Sequence, residues 1–101
     1  MKIAYIAGPY RADTINGIVQ NIRKAEDVAI KYWKKGYAVL CPHKNSSLFD
    51  GILPDERWLK AGLAMLDRCD TVVMVKGWEK SSGASYEHDW AQSGGKEIIY
   101  D

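Results

Sequence analysis

The chain has 101 residues, enough for one modest hydrophobic core, so a single domain over residues 1–101 is expected. Charged residues make up 27% of the sequence and the formal net charge is +1, which predicts no general attraction to nucleic acid or to an anionic membrane surface. Any phosphate group would therefore have to be bound at a local site. The most concentrated apolar run, residues 72–75, is far too short to span a membrane.

Hydrophobic periodicity predicts strands and helices in alternation. Residues 2–7 form a short apolar run that is closed by glycine and proline, which is typical of a strand. Apolar residues then follow helical spacing over residues 15–33, and Gly36 suits the position after a helix end. The run "YAVLCP", residues 37–42, predicts a second strand that its proline stops.

The second half of the chain continues the alternation. Residues 43–54 are rich in turn-forming residues and predict an irregular loop, after which Pro54 opens a helix. The run "TVVMV", residues 71–75, has almost no polar interruption and indicates a strand buried on both faces. A glycine-serine loop leads into a helix over residues 83–93, and "EIIY" forms a last strand.

This order of elements is typical of an α/β protein. Right-handed crossovers predict a three-layer Rossmann- or flavodoxin-like fold, with a four-stranded parallel sheet in the order 2-1-3-4 and helices on both faces. Ligands of such sheets bind beyond the carboxyl ends of the strands at the switch point, here between strands 1 and 3. Two loops leave the sheet there, "AGPYR" (7–11) and "KGWEKSSGAS" (76–85), and we expect them to face each other.

The second of these loops is suited to binding an anion. Ser81, Ser82 and Gly83 precede a helix whose first backbone N–H groups have no partner within the helix. Arg11, from the opposite loop, would add a charged fork for phosphate oxygens. The alternative is that Ser82 only caps the helix and Gly83 only permits the turn. Neither a dinucleotide-binding fingerprint nor a P-loop motif occurs in the sequence.

Glu87 is the candidate for chemistry. A capping-box role would need serine or threonine at position 84, which is an alanine. In the first turn of a helix, the dipole would keep Glu87 ionised at neutral pH, as a carboxylate nucleophile must be. Tyr5, near the end of the first strand, would place its hydroxyl against Glu87 if it faces the cleft. Strand alternation leaves open whether Tyr5 does so or is a plain core residue.

Three strings, "YIAGPYR", "CDTVVMVKGWEKSSGASYEHDWA" and "GGKEIIY", resemble the nucleoside 2-deoxyribosyltransferase-like superfamily. Within it, the sequence is most similar to a small family, largely of unassigned function, found in bacteria and their phages. Relatives with known chemistry include the deoxyribosyltransferases and the 2′-deoxynucleoside 5′-phosphate N-hydrolases. The resemblance covers nearly the whole chain except the middle loop, and the "GWEKS-x-GA-x-x-E" string is its most specific part.

The resemblance implies roles for individual residues. Glu87 aligns with the glutamate that attacks the anomeric carbon of the sugar, and Tyr5 aligns with the tyrosine that positions this glutamate. Apart from the resemblance, Gly8 in the first loop is a candidate substrate- or phosphate-binding residue. Tyr10, beside Arg11 in the same loop, would close over the sugar or lie as an exposed turn residue. The resemblance further implies a dimer in which the neighbouring subunit completes the site. The residues that align with the 5′-phosphate-binding positions of the hydrolases are Pro9, Arg11, Ser81 and Gly83.

One position departs from the resemblance. The relatives carry a catalytic aspartate eight residues before the aspartate that opens strand 3, and this sequence has Gly62 there. Asp67 would lie on the wrong face of the helix, and Asp55 would lie two turns away. His43, in the loop after strand 2, is the replacement that the sequence favours. A glycine at this position is also compatible with a protein that binds a nucleotide but does not cleave it.

These observations predict an N-glycosidase, either a hydrolase or a transferase, that acts on a (deoxy)nucleoside 5′-monophosphate or a nucleoside. We expect it to need no metal or other cofactor, to form a homodimer or higher homo-oligomer, and to bind neither nucleic acid nor membranes. The competing hypotheses are a nucleotide-binding or sensing domain and a receiver-like signalling module. The receiver is disfavoured because Lys76 and Gly77, not an aspartate, follow strand 3.

Two further groups of residues complete the sequence-based hypotheses. Cys41 and Cys69 lack a CxxC spacing and a nearby ligand cluster, so we interpret them as reduced thiols of a cytoplasmic protein. Trp58 and Trp78 would either stack on a nucleobase or serve in packing or in a dimer contact. Lys24 belongs to a set of charges on the first helix that we interpret as a solvated surface.

Overall fold

The computed structural model describes the whole of residues 1–101. Its centre is a sheet of four parallel strands in the order β2-β1-β3-β4, which confirms the predicted topology. The strands are β1 (Ile3–Ala7), β2 (Ala38–Leu40), β3 (Thr71–Met74) and β4 (Glu97–Tyr100). The helices are α1 (Ile15–Lys34), α2 (Pro42–Asn45), α3 (Asp55–Leu66) and α4 (Ser82–Ser93), and a 3-10 turn covers Trp78–Lys80.

The two faces of the sheet carry separate apolar layers. On one face, alternate residues of β1 and β3 pack against α1, with Ala4 and Ile6 among those fully buried. On the other face, Tyr5 and Ala7 pack with residues of α3 and α4. Because side chains alternate along a strand, this arrangement directs Tyr5 to the α3–α4 side, which the sequence left open. The result is the predicted three-layer fold with helices on both faces.

The structure corrects the start of the last helix. Ser81 is extended (φ −105°, ψ 120°), and its Oγ accepts a hydrogen bond from the backbone N–H of Ala84 at 3.2 Å. Ser81 is therefore the N-cap, and the interpretation that Ser82 caps the helix is wrong. The 3-10 turn before Ser81 sets this boundary. Glu87 consequently lies in the second turn of α4 and not in the first.

The middle of the chain also differs from the prediction. Pro42–Asn45 forms the short helix α2, where the sequence predicted the end of a strand and an irregular loop. Proline suits the first position of a helix because its missing N–H has no partner there in any case. None of the helices is both long enough and apolar enough to cross a membrane.

Candidate active site

A cavity of about 1100 Å³ lies beyond the carboxyl ends of β1 and β3, and both predicted loops line it. Gly8 allows the close approach of the first loop to the end of β3, because a Cβ on Gly8 would lie only 2.7 Å from the Val75 Cβ. Residues of α1, α2, α3 and the segment between α2 and α3 also line the cavity. The structure thus brings together two loops that are far apart in the sequence around one hollow.

A hydrogen-bonded pair lies in this cavity. The Tyr5 hydroxyl donates a hydrogen bond to Oε2 of Glu87, 82 positions further along the chain, and both residues line the cavity. Tyr5 is only 1% exposed and Glu87 is half-buried. The Oε1 atom of Glu87 has no protein hydrogen-bond partner. One carboxylate oxygen is therefore held, and the other is left for a ligand.

The electrostatics of this pair differ from the prediction. Burial raises the pKa of Glu87 to about 7, and the hydrogen bond from Tyr5 opposes that shift without cancelling it. Glu87 therefore titrates near neutral pH and is not held fully ionised by the helix dipole as expected, because it lies beyond the first turn and desolvation dominates. Burial and the adjacent carboxylate raise the pKa of Tyr5, so its phenol remains a proton donor at neutral pH.

Gly62 lies on α3 directly against the pair. A Cβ on Gly62 would be 2.8 Å from the Tyr5 hydroxyl oxygen and 3.3 Å from Oε2 of Glu87. The shift in the Glu87 pKa has no contribution from another carboxylate. Asp50, Asp55 and Glu56 also line the cavity, but none of them perturbs the pKa of Glu87.

The residues predicted to bind the substrate or its phosphate group from the two loops all line the cavity: Gly8, Pro9, Tyr10, Arg11, Ser81 and Gly83. The space beside Gly83 is open, because a Cβ added to this glycine would meet no atom within 4 Å. The Ser81 oxygen accepts the capping hydrogen bond, which leaves its hydroxyl hydrogen free to donate. The Arg11 guanidinium forms an ion pair with Asp55, and both side chains are mostly exposed. An anion would therefore compete with Asp55 for Arg11.

Tyr10 anchors the first loop to the opposite wall. Its hydroxyl donates a hydrogen bond to Asp50 and accepts one from the backbone N–H of Leu48 at 3.1 Å. Tyr10 is therefore half-buried and held by hydrogen bonds, and it is not the fully exposed turn residue of the alternative. Asn21 of α1 also holds this loop, because its side-chain amide donates to the carbonyl oxygens of Tyr10 and Arg11 at 3.0 and 3.2 Å. Sequence reasoning missed Asn21, whose helical position gave no signal of this contact.

His43 lies on α2 and lines the same cavity. Its Nε2 is 2.8 Å from the carbonyl oxygen of Pro9, so that nitrogen carries a proton and donates it. Burial lowers the pKa of His43, which favours the neutral ring. A neutral ring whose proton is engaged by a carbonyl is a poor acid for a departing base. The geometry therefore gives His43 the role of holding the first loop, in place of the acid role expected from the sequence.

The two candidate stacking residues, Trp58 and Trp78, lie in different parts of the structure. The Trp78 ring stacks on His88 of α4 with 4.3 Å between ring centroids, and it does not line the cavity. The stacking hypothesis for Trp78 is therefore not supported, because its ring face is already covered. Trp58 does line the cavity, with Phe49 at a centroid distance of 6.4 Å. Phe49, which the sequence did not single out, shares this apolar wall with Trp58.

Three lysines, each without an ion-pair partner, line the cavity: Lys24, Lys76 and Lys80. Together with Arg11 they make four basic side chains at the cavity wall, which is also lined by the four carboxyl side chains of Asp50, Asp55, Glu56 and Glu87. The sequence placed Lys24 on a solvated surface and missed its position at this wall. No group of three or more His, Cys, Asp or Glu side chains is arranged to hold a metal ion.

Comparison with known proteins assigns the family. The family of a domain of unknown function (DUF4406) matches residues 1–100. The chain belongs to this family. Among solved structures, the DUF4406 chain is similar to a "2-desoxiribosyltransferase from Leishmania mexicana", with a TM-score of 0.66 and 22% sequence identity. No curated protein matches the sequence.

The match to the Leishmania mexicana structure covers 99% of the DUF4406 chain and 63% of the other chain. The DUF4406 chain thus spans less than two thirds of the length of that protein. It has a nucleoside 2-deoxyribosyltransferase-like fold, as the resemblance of the sequence implied.

Proposed function

We propose that this DUF4406 chain cleaves the N-glycosidic bond of a nucleotide or nucleoside, with a (deoxy)nucleoside 5′-monophosphate as the preferred substrate. The observation that carries the proposal is the Tyr5–Glu87 pair, which lies in a cavity that also contains Arg11 and the amino end of α4. A carboxylate nucleophile and an anion cradle in one hollow match the anomeric carbon and the phosphate group of a nucleoside monophosphate. The 2-deoxyribosyltransferase title of the similar structure supports the choice of glycosyl chemistry.

In the proposed reaction, Oε1 of Glu87 attacks the anomeric carbon while the bond between that carbon and the base nitrogen breaks. The base leaves with the bonding electrons, and the sugar forms an ester with Glu87. Water or a second base then attacks the same carbon and displaces the carboxylate. In hydrolysis the water gives up a proton and the base gains one, so the exchange is balanced. Tyr5 holds Oε2 throughout and so orients Oε1.

The phosphate group of the substrate would bind at the amino end of α4. The backbone N–H groups there and the Ser81 hydroxyl would donate hydrogen bonds, and Arg11 would exchange Asp55 for the phosphate oxygens. Gly83 leaves the approach open because it has no side chain. The wall formed by Trp58 and Phe49 is the candidate surface for the base.

A second candidate function is a nucleotide-binding or sensing domain with little turnover. The specific observation in its favour is Gly62, which leaves Glu87 without a neighbouring carboxyl group to protonate the departing base. General acid assistance contributes roughly two to four orders of magnitude to such reactions. The same cavity would then bind the nucleotide as a signal without cleaving it.

We also propose a cytoplasmic homo-oligomer as the working form. The free thiols Cys41 and Cys69 suit a reducing compartment. Tyr86 and Trp90, on α4, are 50% and 42% exposed, and their rings stack at 6.4 Å. Exposed aromatic pairs of this kind are typical of protein–protein contacts.

Base release from a panel of nucleoside 5′-monophosphates, followed by chromatography, tests the proposal. The key variant is Glu87→Gln, and the matched control is Glu79→Gln, an exposed carboxyl that does not line the cavity. We expect release by the wild type and the control and a loss of at least about a thousandfold in Glu87→Gln. Nucleotide-dependent thermal stabilisation without release would support the binding domain, and release that does not depend on Glu87 would refute the proposed nucleophile.

A further inference from the structure

Gly62 lies inside the twelve-residue helix α3, where glycine is unfavourable for helix stability. A glycine in a helix interior costs about 1 kcal/mol relative to alanine. The backbone of Gly62 does not adopt a positive φ, so no turn or left-handed conformation requires this residue. Gly62 is also buried, so solvent exposure of the helix does not explain the presence of a glycine. Its presence therefore calls for a different physical reason.

The space around Gly62 supplies that reason. An ideal Cβ would lie 2.8 Å from the Tyr5 hydroxyl oxygen, closer than carbon and oxygen atoms pack without a shift. Tyr5 cannot easily withdraw, because its ring is fully buried on the central strand β1 among side chains of the α3–α4 layer. The same Cβ would lie 3.3 Å from Oε2 of Glu87. Any side chain at position 62 would therefore displace the hydroxyl, the carboxyl or the helix.

We propose that Gly62 is a positioning residue, whose lack of a side chain is what lets the Tyr5 hydroxyl reach Oε2 of Glu87. The inference rests on the proposed function only for its effect on base release, because the contact itself exists in either case. The Tyr5 hydroxyl occupies the space that a side chain at 62 would need. An aspartate at position 62 therefore cannot be accommodated on this backbone unless the Tyr5 hydroxyl, the Glu87 carboxyl group or α3 moves.

This exclusion predicts that Gly62→Asp lowers Glu87-dependent base release and does not enhance it, even though the sequence resemblance points to an aspartate at this position. If Gly62 only marked the loss of a catalytic acid, Gly62→Asp would instead raise the rate of base release. Single-turnover base release distinguishes the positioning role from the loss of an acid. It is measured at a pH above the Glu87 midpoint, where the nucleophile is ionised. A gain in the rate with Gly62→Asp would overturn the proposal.

The titration of Glu87 provides a readout that does not depend on catalysis. In protein with ¹³C-labelled glutamate carboxyl groups, the Glu87 signal should titrate with a pKa of about 7 in the wild type. The hydrogen bond from Tyr5 favours the ionised carboxyl, so its loss moves the midpoint upward. We expect Gly62→Ala and Tyr5→Phe each to raise the midpoint by about one pH unit, which is about a tenfold loss of ionised Glu87 below the midpoint.

A double-mutant cycle tests whether Gly62 affects the Glu87 midpoint through the Tyr5 hydroxyl. In a Tyr5→Phe background the oxygen that lies 2.8 Å from the new Cβ is absent, so Gly62→Ala should change the Glu87 midpoint little. Ala64→Ser, on an exposed part of α3, is the control and should leave the midpoint unchanged. If Gly62→Ala alone fails to fold, the double variant should fold again, because the clash has been removed.

Two further outcomes would overturn the proposal: a folded Gly62→Ala protein with an unchanged Glu87 midpoint, or an equal change in both Tyr5 backgrounds. The failure of the proposed function is a separate result. If the wild type releases no base, the N-glycosidase is refuted, whereas the carboxyl titration still decides the role of Gly62.

Discussion

At the scale of single residues, Glu87 lies where burial opposes the ionisation of its carboxyl group and a hydrogen bond favours it. Burial alone disfavours its charged form, and the Tyr5 hydroxyl recovers part of that loss through one hydrogen bond. The result is a carboxyl group that titrates near neutral pH, in the range where a catalytic group is useful. The sequence identified both residues, but it could not give the pKa because burial depends on how α3 covers the pair.

This placement predicts a pH-dependent stability. The raised pKa means that the folded protein keeps the Glu87 proton up to about pH 7, whereas the unfolded chain releases it around the ordinary glutamate value of 4.5. Between these values the folded state holds more protons, so the free energy of unfolding should fall as the pH rises. Glu87→Gln removes this dependence and should be more stable than the wild type at about pH 8, by up to about 3 kcal/mol.

Urea unfolding of both proteins at about pH 4 and pH 8 checks this prediction, since the other titrating groups are shared. The difference between Glu87→Gln and the wild type should be larger at the higher pH. An identical difference at the two pH values would mean that the Glu87 pKa is not raised by folding.

At the scale of elements, the sequence predicted those with strong periodicity and missed those set by local contacts. The run of residues 71–75 and the helical spacing of residues 15–33 leave little ambiguity, and β3 and α1 lie where they were expected. The start of α4 was misplaced by one residue because both Ser81 and Ser82 are acceptable caps. Only the 3-10 turn before them decides between the two. The short helix α2 has too few residues for a periodic signal.

The capping assignment predicts unequal effects of two adjacent serines. Ser81→Ala removes the hydrogen bond to the Ala84 N–H and should lower the free energy of unfolding by about 1 kcal/mol. Ser82→Ala is the matched control, because the Ser82 side chain is exposed and makes no hydrogen bond within the protein. Chemical denaturation of the two variants measures the difference. Equal losses, or a larger loss for Ser82→Ala, would contradict the assignment.

At the scale of the whole molecule, the site depends on the crossover topology. Parallel strands β1 and β3 are neighbours in the sheet although α1, β2, α2 and α3 lie between them in sequence. Their loops therefore meet at one edge, and this convergence was predictable from the strand order. Two contacts were not predictable: the ion pair of Arg11 with Asp55 depends on the path of the irregular segment between α2 and α3. The hydrogen bond from His43 to Pro9 depends on the short helix α2, which the sequence did not predict.

The proposed oligomer is tested at this scale. We expect the protein to sediment as a dimer or larger species, and Tyr86→Arg with Trp90→Arg to shift it toward the monomer by adding charge to the exposed aromatic pair. Ile30→Arg, on the exposed part of α1, is the control and should not alter the mass. Sedimentation velocity measures all three proteins. A monomeric wild type at high concentration would contradict the proposed assembly.

The most direct test of the central claim is to locate the sugar during the reaction. A 2-fluoro-2-deoxynucleoside monophosphate slows the breakdown of a glycosyl ester, because fluorine withdraws electrons from the oxocarbenium-like transition state. After its base is released, mass spectrometry of the digested protein should find one fluorosugar phosphate on the peptide that contains Glu87, attached to that carboxyl group. Release of the base with Glu87 unmodified and the sugar bound to another side chain would contradict the account.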